Sequence, residues 1–184
     1  MLNVREKLSL MQQLEARQIR DASDGFGGKV ENFRKMFQST APVSVPSTKI
    51  KVDDIEPAYK ILDHFHHGGK TERFVFGSLT TMVNEGSSLN EKQELFELHV
   101  SDYIALRRSS EDLEYLKALW DMVSSVIYSF DSWNVTLWDK IDVEFLMDET
   151  KKLAKETKGL TKGCRAYDLY KILEDQIKAL TLNP

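Results

Sequence analysis

Apolar residues fall into helical stripes along most of this chain. The clearest runs through Leu113, Leu116, Trp120, Val123, Ile127 and Phe130, spaced 3, 4, 3, 4 and 3. That is a heptad seam, so the spacing predicts a helix packed against neighbouring helices along its length. Val143, Leu146, Thr150, Leu153, Thr157 and Leu160 repeat the rhythm, with two threonines weakening the seam. Ala166, Leu169, Leu173, Ile177 and Leu180 form a third stripe, and Gly159 and Gly163 bracket the turn between the last two.

The first half is more broken. Residues 3–22 predict a helix, and Asp24-Gly25-Phe26-Gly27-Gly28 interrupts it. Glycine costs about 1 kcal/mol in a helix interior. Yet Ile19, Ala22, Phe26, Val30, Phe33 and Phe37 keep one stripe running through the glycines, which favours a single helix, bent or loosened there. Pro42 and Pro46 make Thr40–Lys51 a loop. Asp53 or Asp54 can cap the next helix, with Pro57 in its first turn, Ile55, Tyr59, Leu62 and Phe65 as its apolar set and His67-Gly68-Gly69 as its stop. Thr71 is placed to cap a helix carrying Phe74, Phe76, Leu79, Met82 and Val83 that Gly86 stops, and Ser88 or Asn90 to start a short one ending near Leu98. No run alternates with period two, so strands are not expected. The predicted fold class is all-α, an elongated bundle of antiparallel amphipathic helices.

Composition agrees. Of 184 residues, 41% are hydrophobic and 29% charged, which suits a folded, helix-rich chain better than a disordered one. Only four prolines occur, three of them at positions 42–57, which leaves a long remainder free for helices. The net charge of −4 and the absence of a basic face argue against nucleic-acid binding. Cys164 is the only cysteine, so no internal disulfide is possible, which fits a reducing compartment. No apolar stretch approaches the roughly 20 residues that span a bilayer, and Met1–Lys7 lacks the apolar core of a signal peptide. Both ends suggest a piece of something larger.

Candidate chemistry is thin. Gly68-Gly69-Lys70-Thr71 imitates the tail of a phosphate-binding loop, but His64 stands where the first glycine belongs and a helix precedes it. His64, His66 and His67 have no nearby carboxylate or cysteine to complete a metal set; a solvated helix end accounts for them. Cys164 beside Arg165 before a helix has the surroundings that lower a thiol pKa, but no histidine close in sequence to act as base. Asn134-Val135-Thr136 matches a glycosylation triplet without a secretory signal. Trp120, Tyr128, Phe130, Trp133 and Trp138 concentrate aromatic area, as core packing at a helix crossing or as a stiff corner. An enzyme site inside a helical bundle would need facing carboxylates and histidines; Glu94, Glu97 and His99 have the wrong spacing.

One longer pattern remains. Glu94-Leu95-Phe96-Glu97-Leu98, then Asp102-Tyr103, the helix with Leu116 and Trp120, Trp133-Asn134-Val135-Thr136-Leu137-Trp138 and Ile141-Asp142-Val143-Glu144 follow one another in an order and spacing that resembles the start of the linker region of axonemal dynein heavy chains. Within it, the Trp133–Trp138 stretch looks more like outer-arm axonemal chains than cytoplasmic ones. The resemblance covers residues 90–184 well. The part before it is similar to the end of the tail in those chains, with the glycines at 25–28 as a departure. The resemblance implies a tail-end helical bundle at 1–89 and the start of the linker at 90–184. It implies a non-catalytic, mechanical role in a lever that swings across a ring of ATPase modules, and no cofactor. The implied partners are the remainder of the same heavy chain and other dynein heavy, intermediate and light chains, with microtubules met only through the parent motor. No nucleic acid and no membrane are expected. The implied location is the cytoplasm and cytoskeleton, in the ciliary axoneme. It transfers no catalytic residue. An independent spectrin-like or coiled-coil scaffold is the alternative.

Overall fold

The computed structural model describes residues 1–70 and 75–182. Among them are six α-helices: α1 Val4–Thr40, α2 Ile55–His67, α3 Leu79–Leu95, α4 Ile104–Asn134, α5 Val143–Lys158 and α6 Asp168–Leu182. The fold is an all-α helical bundle, as the stripes predict. Its residues group into two compact units, Met1–Ser39 with His64–Ser110, and Thr40–Asp63 with Glu111–Pro184.

The first unit is built on α1. Asn3 and Glu6 form a reciprocal cap at its start: the Glu6 amide donates to Asn3 Oδ1 at 2.9 Å and the Asn3 amide to Glu6 Oε2 at 2.8 Å. The helix passes through Gly25, Gly27 and Gly28 without a break. Its inward stripe is Ile19, Ser23, Phe26, Val30, Phe33 and Phe37, all buried. Ser23 takes the place the apolar pattern assigns to Ala22, which is exposed. Phe65 is fully buried, with ring centroids 5.7 Å from Phe33 and 4.8 Å from Phe37. α2 ends at His67, and Gly68 follows at φ 84°, a left-handed turn that glycine adopts without strain.

The structure departs from the sequence pattern in three places. Strands exist: Gly69–Lys70 pairs antiparallel with Val75–Phe76, two residues a side and too short for any alternation to show. The helix expected to start at Thr71 starts at Leu79, capped by Ser78, whose Oγ accepts from the Thr81 amide; Thr71 and Phe74 lie outside the described residues. Gly86 does not stop it. α3 continues through it to Leu95, and a Cβ at Gly86 would lie 3.1 Å from the Phe26 ring and 3.3 Å from that of Tyr103. The glycine marks a close approach between elements, so no second helix begins at Ser88 or Asn90.

The second unit gathers the buried face of α4 with α5, α6 and the segment 40–63. Leu113, Leu116, Trp120, Val123, Ile127 and Phe130 are all buried, as the seam requires, and Leu119, Met122 and Val126 widen the face. Burying a side chain of this class is worth about 1.5–3 kcal/mol. Thr150 and Thr157 are buried on α5, and their hydroxyls donate to the carbonyls of Leu146 at 2.7 Å and Leu153 at 2.8 Å. Each threonine thus satisfies itself within its own helix. Leu169, Leu173 and Ile177 are buried on α6, while Ala166 and Leu180 at the ends of that stripe are exposed.

Candidate functional site

Side chains that could carry chemistry are spread among the helices. His64, His66 and His67 lie in the last turn of α2, and the rings of His66 and His67 meet edge to face at 4.5 Å between centroids. The His66 carbonyl accepts hydroxyl hydrogen bonds from Ser78 at 2.8 Å and Thr80 at 3.2 Å, which tie the end of α2 to the start of α3. Gly69 packs so closely on His64 that a Cβ there would lie 2.7 Å from its ring. The element before Gly69 is a helix where a phosphate-binding loop needs a strand. Among the described residues, no group of three His, Cys, Asp or Glu is placed to hold a metal ion. Glu94 ends up on α3, with Glu97 and His99 beyond its C-terminus.

Cys164 sits in a 3-10 turn before α6, fully buried, with Sγ 3.5 Å from the Tyr115 carbonyl. Burial pushes its thiol up from the ordinary value, opposite to the shift a reactive thiolate needs. Among Trp120, Tyr128, Phe130 and Trp133 no single cluster forms; the Trp138 side chain lies outside what the structure describes. Trp120 is buried and donates its indole N–H to the Pro42 carbonyl at 2.8 Å, Phe130 pairs with Trp133 at 5.4 Å, and Tyr128 is exposed. Asn134 of the glycosylation triplet is the last residue of α4, and the Thr136 hydroxyl donates to the Ser132 carbonyl at 2.9 Å.

The most developed polar arrangements are ones the sequence pattern did not single out. In the first unit, Ser23 Oγ lies 2.6 Å from Tyr103 Oη and 2.9 Å from Ser101 Oγ. The Gln93 side-chain amide donates to Ser23 Oγ at 3.0 Å and to Ser101 Oγ at 2.9 Å, and its Oε1 accepts the Ser101 amide at 2.9 Å. With three polar contacts the Ser23 hydroxyl is at its full capacity of one donor and two acceptors. Its partners are hydroxyls and an amide, none of them a base near neutral pH, so the cluster fastens elements together. Spacing could have found Ser23, since 19, 23, 26, 30, 33 and 37 are an unbroken heptad series. Gln93 carried no such signal.

In the second unit the segment after α1 is stitched to α4 and α6. Besides the Trp120–Pro42 bond, the Leu169 amide donates to the Val43 carbonyl at 3.2 Å. The Gln176 side chain serves both backbone groups of Ile50, accepting its amide at 2.9 Å and donating to its carbonyl at 3.0 Å. Tyr59 donates to Asp121 at 2.5 Å, and Tyr167 to Asp112 at 2.8 Å. Burial, and then the bond to Asp121, push the Tyr59 phenol well above its ordinary pKa. These bonds make residues 40–63 part of the same packed unit as α4–α6.

Two stretches leave large apolar side chains exposed: Leu2, Val4, Leu8, Leu10, Met11 and Leu14 around the start of α1, and Val135, Leu137, Val143, Phe145 and Met147 around the start of α5. Among the described residues no helix is long and apolar enough to cross a membrane.

Residues 106–183 match the family model described as dynein heavy chain, N-terminal region 2. Over 180 residues the chain is 47% identical to the flagellar outer arm dynein beta chain of Chlamydomonas reinhardtii, an alignment covering 98% of this chain and 4% of that protein. It is 29% identical over 178 residues to dynein axonemal heavy chain 11 of Sus scrofa, covering 97% of this chain and 4% of the relative. It is also 29% identical over 177 residues to the ciliary dynein beta chain of Tripneustes gratilla, covering 96% and 4%. The chain thus spans about 4% of the length of these curated relatives.

Proposed function

Because the chain belongs to the axonemal dynein heavy chains and matches their N-terminal region, we propose that it is a non-catalytic, mechanical segment of such a heavy chain. In this reading residues 1–89 are the end of the tail and 90–184 the start of the linker. Together they transmit force from the ATPase ring of the parent motor and support its assembly in cilia. The observation that carries the reading is 47% identity, sustained over nearly the whole chain, to an outer arm beta chain. Two features of the fold support it. α4 is buried along a continuous apolar face, which gives a long helix side-to-side support. The segment 40–50 is fastened to α4 and α6 through backbone groups, which resist sliding better than apolar contact alone.

The segment itself hydrolyses no ATP; the parent motor is the microtubule-dependent ATPase. The exposed apolar side chains at the starts of α1 and α5 meet the remainder of the same heavy chain, since patches of this kind mark surfaces that another element covers. Other heavy chains, intermediate chains and light chains are the remaining partners, and the location is the ciliary axoneme. An independent spectrin-like or coiled-coil scaffold is disfavoured by identity to heavy chains on both sides of residue 90.

Tagging the parent protein in a ciliated cell and isolating it from axonemes tests this. The expected result is a tag along the axoneme that co-purifies with dynein heavy, intermediate and light chains. A tag excluded from cilia, or recovered without any dynein subunit, overturns the reading.

A further inference from the structure

Nothing in the packing asks for glycine at positions 25, 27 and 28. Beyond the adjoining residues and the local helix backbone, a Cβ at any of the three would meet no atom within 4 Å, and none has the positive φ that favours glycine. Other glycines differ. Gly86 lies against Phe26 and Tyr103, a Cβ at Gly163 would sit 2.4 Å from the Tyr115 ring, and Gly68 is left-handed. Alanine would fit at all three α1 positions. Three glycines within four residues of a 37-residue helix therefore do one thing there: they weaken it. Each gains more chain entropy on opening than alanine does, and each leaves helical backbone open to water.

The other side of the same stretch is fastened by polar bonds. Ser23 holds Gln93, Ser101 and Tyr103, and Phe26 rests edge to face on Tyr103 at 4.8 Å. Further along, α1 is held differently, by Val30, Phe33 and Phe37, with Phe33 and Phe37 against Phe65. Hydrogen bonds can be exchanged for bonds to water, so opening the Ser23 end costs less than parting the phenylalanines. A weak outer face and an inner face held by the Ser23 hydrogen bonds and a single phenylalanine, Phe26, thus coincide at 22–28.

We propose that residues 22–28 are a yielding turn built into α1, and that the Ser23–Gln93–Ser101–Tyr103 cluster is the latch that keeps it closed. When the turn opens, the stretch 4–20, with Val4, Leu8 and Met11 exposed, is re-aimed relative to 30–40, which stays packed. This is a property of the chain itself and does not depend on the lever reading.

Hydrogen exchange on the 184-residue chain, corrected for intrinsic amide rates, tests it. The amides of 22–28 are expected to exchange at least tenfold faster than those of 31–37. Gly25→Ala, Gly27→Ala and Gly28→Ala combined should slow exchange at 22–28 by roughly a hundredfold, from a factor of about five at each site, and leave 31–37 within twofold of the parent. Tyr103→Phe keeps the ring against Phe26 and removes one latch bond; it should speed exchange at 22–28 several-fold and spare 31–37. Ser101→Ala, on a different latch residue, should act in the same direction. Equal protection of 22–28 and 31–37 in the parent would overturn the yielding turn. So would a triple substitution that slows all of α1 uniformly. If Tyr103→Phe and Ser101→Ala change both stretches equally or neither, the latch is overturned.

Discussion

Glu97 holds the backbone at φ 54°, in the left-handed region that most side chains avoid. It does so because α3 ends there. The Leu98 amide donates to the Gln93 carbonyl at 2.8 Å and the Glu97 amide to the Glu94 carbonyl at 3.0 Å, the paired bonds of a helix-ending motif that usually places glycine at this position. Glu97→Gly should therefore raise the stability of the chain by about 1 kcal/mol, read as a higher midpoint in urea at unchanged slope. A second residue-scale expectation concerns Tyr59. Its phenol is held protonated above its ordinary pKa, first by burial and then by the bond to Asp121. A raised folded-state pKa contributes stability that is complete below the unfolded value, near 10, and is lost as pH rises beyond it. The stability gap between the parent and Tyr59→Phe should stay constant up to about pH 10 and narrow above it. A gap that widens above pH 10 would reverse the sign and remove Asp121 as the partner.

At the scale of elements, α4 is the strut of the second unit, with Leu116, Leu119, Trp120, Val123 and Val126 almost wholly buried. Leu116→Ala should cost about 2–5 kcal/mol, from lost transfer energy plus the cavity left behind. Trp120→Ala should cost a similar amount and also strand the Pro42 carbonyl. Thermal melts that do not move would contradict this packing. α4 was legible in sequence because its stripe has the heptad period and no interruption. So were the loop at 40–51, the end of α2 at His67 and Gly68, and the turn between α5 and α6, where glycine and proline act through local backbone geometry. Gly86 is not legible for the converse reason. Its role is set by Phe26 and Tyr103, which are distant in sequence, whereas local rules make it only a helix breaker. The two-residue strands were too short to carry a period. The Ser23 cluster was half legible: the register of α1 points Ser23 inward, but that Gln93 and Ser101 meet it is a tertiary fact.

For the whole molecule, the sequence carried the family resemblance further than it carried any site. The stretch 94–144 was recognisable by order and spacing, and the match to the N-terminal region of dynein heavy chains at 106–183 overlaps it. The same scale sets the nucleotide expectation. Titrating MgATP into the chain should give no micromolar binding; such binding, abolished by Lys70→Ala, would restore the phosphate-loop reading of Gly68–Thr71. The proposed role is that this segment carries force without taking part in the chemistry. The decisive experiment uses the full heavy chain carrying Leu116→Ala and Trp120→Ala, with ATP turnover and microtubule gliding measured on the same purified motor. Turnover is expected to stay within about twofold of the parent while gliding slows severalfold, because a softened strut wastes the stroke without touching the ring. Gliding at the parental speed despite the two cavities, or a loss of turnover in step with gliding, would contradict it.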